Sequence, residues 1–264
     1  NICDLHGATG PYMFDRTTRL HQGKQRIAHM GKVACFAEEI IIPEVGCVPI
    51  DDVIPFPQAA LIGCSVTTGV GAAMYTAKVA PGSTVAVFGA GGVGLNVIQG
   101  ARLLNAAKII AIDINEGKLE FATKFGATHT INPTQQHTRE RVHEITNGIG
   151  ADYTFEVFGS AETASDAYDS ARKGGTVVIV GIAPIGDTAS IDLLSLVRQE
   201  KTIKGCYYGS ARPNIDMPTM VALYRSGKID IDTLVTREYK LDEINQAYQD
   251  LESGEIGRGV ITQF

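Results

Sequence analysis

Four glycines and one acid are the residues best placed to do chemistry. Gly89, Gly91, Gly92 and Gly94 follow the uncharged run Val85-Ala-Val-Phe88 and precede a helical pattern that sets Leu95, Ile98, Leu103 and Leu104 on one side. In a Gly-x-Gly-x-x-Gly turn of this kind, Gly89 permits the sharp exit from a strand and Gly91 lets backbone approach a pyrophosphate. Gly94 lets the next helix pack closely on the sheet. The N–H groups and positive dipole end of that helix then face the phosphates. A second apolar run, Lys108-Ile-Ile-Ala-Ile112, delivers Asp113 19 residues after Gly94, where a carboxylate accepts hydrogen bonds from an adenosine ribose. Strand, glycine turn, helix, strand and acid in register specify a dinucleotide site. A Gly-rich turn of an unrelated α/β domain is the competing reading.

The surrounding pattern supplies the elements that must hold this turn. Strands are expected at 84–89, 108–113, 128–131, 152–157, 176–181 and 201–207, alternating with helices at 92–104, 115–125, 138–146 and 161–172. Short apolar strands alternating with amphipathic helices give a doubly wound parallel sheet, the Rossmann plan, with ligands at the carboxyl ends of the strands. Upstream, residues 1–30 read as irregular and turn-rich, with His6, His21 and His29 as solvated loop histidines. Residues 36–42 read as a strand, and 58–75 as a helix broken near the glycines at 63–71. Downstream, helices are expected at 217–226 and 241–251 and a terminal strand at 258–264, outside the nucleotide fold. The division is therefore 1–65 and 208–264 as flanks of one second domain, and 66–207 as the cofactor domain.

The chain has 264 residues, 44% hydrophobic and 20% charged, with a net charge of -6. That is an ordinary globular composition. It holds no basic run that would indicate nucleic acid or an anionic membrane, and no apolar stretch reads as a membrane span. Five cysteines (Cys3, Cys35, Cys47, Cys64 and Cys206) with no Cys-x-x-Cys pair suit reduced thiols in a cytoplasmic protein better than a disulfide framework. The first residue is Asn1, not Met, and an N-terminal portion is expected to be absent from this polypeptide.

Several stretches, in order, resemble the zinc-dependent medium-chain alcohol dehydrogenases across the whole chain. They are Leu61-Ile-Gly-Cys-Ser-Val-Thr-Thr-Gly-Val-Gly-Ala-Ala73, Lys78-Val-Ala-Pro-Gly-Ser-Thr-Val-Ala-Val-Phe-Gly89, Ile110-Ala-Ile-Asp-Ile-Asn115, Phe125-Gly-Ala-Thr128, Asp242-Glu-Ile-Asn245 and Gly257-Arg-Gly-Val-Ile261. The branch it looks most like is the bacterial class II/III-like and aryl-alcohol one. The resemblance implies a GroES-like β-rich catalytic domain of which the flanks are the remains. It also implies hydride transfer between a primary or aryl alcohol and NAD, with zinc as Lewis acid on the alcohol oxygen.

Residue by residue, the resemblance makes Cys64 a catalytic-zinc ligand, against the composition-only reading of a buried, inert thiol. Cys3 would be the fourth ligand of a structural-zinc lobe. Thr68 and Val93 would touch the nicotinamide, or else only pack. Lys118 would lie near the adenosine ribose, or else be a solvated helix lysine. Val180, Cys206 and Tyr208 would offer backbone groups to the carboxamide, against simple strand-end packing. Arg258 would pair with the pyrophosphate, where a guanidinium fork suits phosphate oxygens, against a surface arginine. Cys35 and Cys47 match no site and read as structural. Relatives pair two cofactor domains edge to edge, so a homodimer through residues 188–207 is expected. The alternatives kept open are a zinc-free NADPH-dependent quinone-type reductase of the same superfamily and a dinucleotide-binding module without catalysis. Asp113 and Cys64 argue against the reductase.

Overall fold

The structure is a computed structural model that describes residue 4, residues 9–254 and residues 257–264. Six strands form one parallel sheet: β3 (Thr84–Phe88), β4 (Lys108–Ile112), β5 (His129–Ile131), β6 (Ala151–Glu156), β7 (Ala171–Ile179) and β8 (Thr202–Gly205). Their spatial order is β5-β4-β3-β6-β7-β8. The chain therefore winds outward from β3 in one direction, returns, and winds outward from β6 in the other. The crevice where the direction reverses opens between the carboxyl ends of β3 and β6, the position that binds ligands in this architecture.

The strands form here because both faces of the sheet are buried. Alternate side chains of a strand point to opposite faces, and this sheet follows that rule: Val85 and Val87 join one apolar core, and Ala86 and Phe88 join the other. Helix α1 (Phe56–Ala77), α2 (Gly92–Leu103), α3 (Glu116–Phe125), α4 (Thr138–Ile145) and α5 (Ala161–Ser170) supply the cover. Helix starts are set by side chains that accept from orphan N–H groups. The Asn115 carboxamide accepts from Lys118 N–H at 3.2 Å, and the Ser160 hydroxyl from Thr163 N–H at 3.2 Å. Helix α3 stops at Gly126, whose φ of 117° is open to glycine and strained for other residues.

Four expectations need correction. Residues 36–42 form no strand: Phe36, Ile40 and Ile41 are exposed, and none of the described residues runs beside them as a ladder partner. The upstream segment is not wholly irregular. A hairpin of β1 (Leu20–Gln22) and β2 (Gln25–Ile27) closes over Gly23 and Lys24. Below it His29, expected to be solvated, is buried; its Nε2 accepts from Arg19 N–H at 3.1 Å and meets Thr18 Oγ1 at 3.0 Å.

Helix α1 is not broken at its glycines. It runs unbroken for 22 residues, changing from α to π form at Ile62–Val66 and again at Ala72–Ala77. At that length and hydropathy it could cross a bilayer, which the sequence reading did not anticipate, but most of its apolar span is packed inside the protein. Finally, β9 (Val235–Lys240) had no counterpart in the sequence reading. It pairs in parallel with the expected terminal strand, β10 (Arg258–Gln263), to form a separate two-stranded sheet. Three more α-helices lie among the described residues, α6 (Leu193–Arg198), α7 (Pro213–Arg225) and α8 (Ile244–Glu252), besides short 3-10 turns.

Candidate dinucleotide site

The cradle is built from backbone. Gly89 leaves β3 with φ 106° and donates its N–H to Ile112 O at 2.8 Å, which locks the turn to the neighbouring strand. A Cβ on Gly94 would overlap Gly89 O, so only glycine lets α2 sit this close to the turn. Gly91 differs: nothing lies within 4 Å of where its Cβ would project, although its φ of -76° suits any residue. Its missing side chain leaves empty space, not protein, in front of the helix. No side chain caps the first turn of α2, so its leading N–H groups face that same space.

Asp113 directly follows β4, and its carboxylate is anchored at both oxygens. Oδ2 accepts from Ala90 N–H at 2.8 Å and Oδ1 from Asn115 N–H at 2.9 Å. The first bond ties the acid into the glycine turn itself, a contact that the glycine spacing did not reveal. Each carboxylate oxygen keeps acceptor capacity beyond one bond, and the side chain is half-exposed, so ribose hydroxyls can still reach it. Lys118, in the first turn of α3, directs its ammonium toward Gly254 at the end of α8.

The most informative residue is Arg258. It arrives from β10, far away in sequence, and its guanidinium lies across the start of α2. A Cβ on Gly92 would overlap Arg258 Nε. That gives Gly92 a task of its own, to leave room for the guanidinium. Arg258 Nε is buried without a hydrogen-bond partner, and no salt bridge reaches the residue among the described residues. Burial lowers its pKa, and the charge of Cys64 works in the opposite sense. Burying an unpaired cation is costly. Here it stands beside an open space faced by helix N–H groups, which is the chemistry of a phosphate site. These residues fit a dinucleotide.

The nicotinamide half would lie toward β6, β7 and α1. Val157, which follows β6, spreads its side chain over the positions where Gly89 and Gly94 would carry a Cβ, at 3.2 Å from each. It had no place in the sequence reading; the only signal was its position at the end of the strand beside β3. The backbone N–H groups of Val180 and Cys206 are committed to Glu156 O and Ile179 O, each at 2.8 Å. What these two residues can offer a carboxamide is therefore their carbonyl oxygens. The Cys206 thiol is buried against Thr76 Oγ1 at 3.2 Å, and burial pushes its pKa up. Thr68 is half-exposed on α1 and Val93 half-exposed at the start of α2. Gly69 brings the two helices together, since a Cβ there would overlap Asn96 Cβ and lie 2.5 Å from Val93 O.

Cys64 is exposed, not buried as its composition suggested. It lies near Tyr208, whose phenol is pushed up to about 12 by burial and by the charge of Cys64. Tyr208 Oη donates to Gly63 O, one residue before the cysteine. Among the described residues no group of three or more His, Cys, Asp or Glu side chains converges as a metal site. Cys3 and His6 lie outside the described residues. Zinc needs three protein ligands in a catalytic centre and four in a structural one, and the described residues do not fit either. Cys35 and Cys47 are exposed and unpaired.

A family profile described as zinc-binding dehydrogenase matches residues 92–226. The chain is 39% identical over 270 aligned residues to an S-(hydroxymethyl)glutathione dehydrogenase of Saccharomyces cerevisiae, covering 99% of this chain and 69% of that protein. Among solved structures it is similar to an alcohol dehydrogenase zinc-binding domain protein from Burkholderia ambifaria. There the TM-score is 0.91 and the identity 31%, over 99% of this chain and 72% of that one. A benzyl alcohol dehydrogenase from Acinetobacter calcoaceticus superposes with a TM-score of 0.78 at 36% identity, over 81% of this chain. The match spans 59% of that enzyme's length.

Proposed function

The chain belongs to the zinc-type medium-chain alcohol dehydrogenase family, and from that premise we propose that it is the NAD-binding part of an oxidoreductase acting on a primary or aryl alcohol and its aldehyde. The observation that carries the cofactor reading is the Arg258 guanidinium laid on Gly92, its Nε buried without a hydrogen-bond partner among the described residues, beside the uncapped start of α2. Arg258 and the α2 N–H groups would hold the pyrophosphate. Asp113, with Lys118 near it, would hold the adenosine ribose. The Asp113 carboxylate, held by two backbone N–H groups, would repel and crowd a 2′-phosphate, which favours NAD over NADP. Thr68, Val93, Val180 and Tyr208 would frame the nicotinamide, and the packing of α1 on α2 through Gly69 would keep water from that end. Bound there, NAD supplies hydride acceptance and return.

We derive no step through zinc. Among the described residues Cys64 is one ligand where three are required, which favours a second reading: the chain binds the dinucleotide and turns over no alcohol. An odd number of cysteines with no Cys-x-x-Cys pair supports a reducing, cytoplasmic setting as our reading. The outer strand β8 is exposed along Thr202–Gly205, and Leu193, Leu194 and Val197 of α6 expose apolar surface beside it. An unpaired edge of this kind suits a twofold homodimer in which two sheets join at β8.

The test is calorimetric titration of the chain with NAD and with NADP, beside elemental analysis for zinc and an assay of NADH formation with alcohols. The expected result is saturable NAD binding, weaker NADP binding, substoichiometric zinc and no turnover. NADP binding as tight as NAD would overturn the cofactor assignment. About one tightly held zinc per chain with alcohol-dependent NADH formation would overturn the second reading.

A further inference from the structure

Helix α1 changes form where Cys64 sits, and the change has a price in hydrogen bonding that the structure meets in a specific way. A π turn inserts one residue into a helix and rotates everything after it by about 100°. It also spreads the carbonyl groups away from their usual partners. Where the turn Ile62–Val66 begins, the three successive carbonyls of Leu61, Ile62 and Gly63 each accept a side-chain hydroxyl. Ser65 Oγ donates to Leu61 O at 3.5 Å, Thr67 Oγ1 donates to Ile62 O at 2.6 Å, and Tyr208 Oη donates to Gly63 O. The first two come from α1 itself. The third comes from the turn that follows β8, 145 residues away in sequence.

Gly63 is the loosest point of this turn. It is exposed, nothing lies within 4 Å of where a Cβ would stand, and glycine gives its backbone the widest freedom. On that side nothing crowds the peptide that joins Gly63 to Cys64. From outside the helix, among the described residues, the Tyr208 hydroxyl bonds to its carbonyl. Tyr208 is itself held in an uncommon state. It is left-handed at φ 56°, followed by Gly209 at 66° and Ser210 at 51°. A left-handed tyrosine persists only when its surroundings impose it. The imposing contacts lie on the same helix: Gly209 presses on the carbonyls of Thr67 and Thr68 and on Gly71 so closely that no Cβ would fit.

We propose that Tyr208 is a positioning residue for Cys64: its hydroxyl clamps the π turn of α1 and fixes where the thiol stands relative to the nicotinamide end of the site. The relevance to reaction rests on the reading of Cys64 as part of the reaction centre, whereas the clamp itself is measurable without cofactor, metal or turnover. Phenylalanine fills the same space without the hydroxyl, so Tyr208→Phe isolates the bond.

The experiment is amide hydrogen exchange on the full chain, paired with iodoacetamide alkylation mapped by mass spectrometry. In Tyr208→Phe, exchange across residues 63–68 should quicken about fivefold, the loss of one hydrogen bond of ordinary net worth. Alkylation of Cys64 should rise relative to Cys35 and Cys47, while buried Cys206 keeps its rate. Adding Gly63→Ala, which narrows the freedom of the same peptide, should restore both readouts. Unchanged exchange at 63–68 would overturn the clamp. An equal rise at all four thiols would also overturn it, by showing general loosening. Failure of NAD to bind would sink the functional reading and leave these outcomes untouched.

Discussion

Replacing Arg258 with methionine should weaken NAD binding and strengthen the unliganded fold. Methionine keeps most of the apolar stem and removes the guanidinium. Without ligand that guanidinium is buried with Nε unsatisfied, and its pKa lies below the ordinary value because burial disfavours the charged form, against a smaller opposing effect of Cys64. A base whose folded pKa is lowered subtracts stability at every pH below that pKa, which includes the whole working range. Removing an unsatisfied buried polar group should return about 1 kcal/mol, or a rise of roughly 2–4 °C in melting temperature for a chain of this size. With NAD present the sign reverses. Hydrogen bonds to charged groups are worth about 1.5–3 kcal/mol, so affinity should fall about 10- to 150-fold. Calorimetric titration gives the affinity and scanning fluorimetry without ligand gives the stability. NAD binding that matches the unmodified chain, or an unliganded protein that melts well below it, would refute the assignment of Arg258 as an anion partner held in reserve.

Two glycine replacements should separate ligand space from protein space. Gly91→Ala should leave the melting temperature unchanged and weaken NAD binding, whereas Gly94→Ala should lower the melting temperature by forcing Cβ into Gly89 O, at a cost of about 1–3 kcal/mol. Equal effects from both would contradict the geometry of the turn. Asp113→Gly should weaken NAD binding and narrow the preference over NADP, since it removes the ribose acceptor and releases Ala90 N–H and Asn115 N–H together. An unchanged cofactor preference by titration would count against it. Asp216 is buried, which pushes its pKa up, but hydrogen bonds from the Arg212 side chain and N–H outweigh burial and hold it below the ordinary value. A lowered acid contributes stability above its unfolded pKa of roughly 3.9 and loses it as pH falls through the folded value. Melting curves from about pH 5 downward should therefore fall less steeply for Asp216→Asn than for the unmodified chain. Light scattering at micromolar concentration should find a dimer, and Ile203→Lys on β8 should shift it to monomer; a monomeric unmodified chain would exclude pairing at that edge.

What was legible in the sequence was what is local. The run Val85 to Phe88, the glycines after it and Asp113 lie within one βαβ unit, so residue type and spacing carry the geometry. Arg258 could be placed only by resemblance, because a lone cation near the end of a chain says nothing about Gly92 until the fold brings them together. Residues 36–42 have strand-like composition, but a strand exists only with a ladder partner, and composition cannot report one. The opposite error occurred at Val235–Lys240, where Arg237 and Glu238 obscured a strand that pairs with β10. The π turns of α1 were illegible for a different reason. Glycine, serine and threonine lower helix propensity, which reads as a break, whereas at the first π turn hydroxyls bonded back to carbonyls accompany a widened helix.

The larger of the two cores runs without interruption from Ile54 through Val66, Val85, Leu95 and Phe155 to Met220, Leu234 and Val260. It takes side chains from both flanks of the chain and from one face of the nucleotide sheet. The boundaries expected near residues 65 and 207 thus run through one packed interior. Cutting the chain there would halve a shared interior instead of freeing a self-sufficient unit. A recombined gene that exchanges the nucleotide segment between relatives must therefore carry Leu61, Met220 and Leu234 with it, as one inheritance, or rebuild their fit.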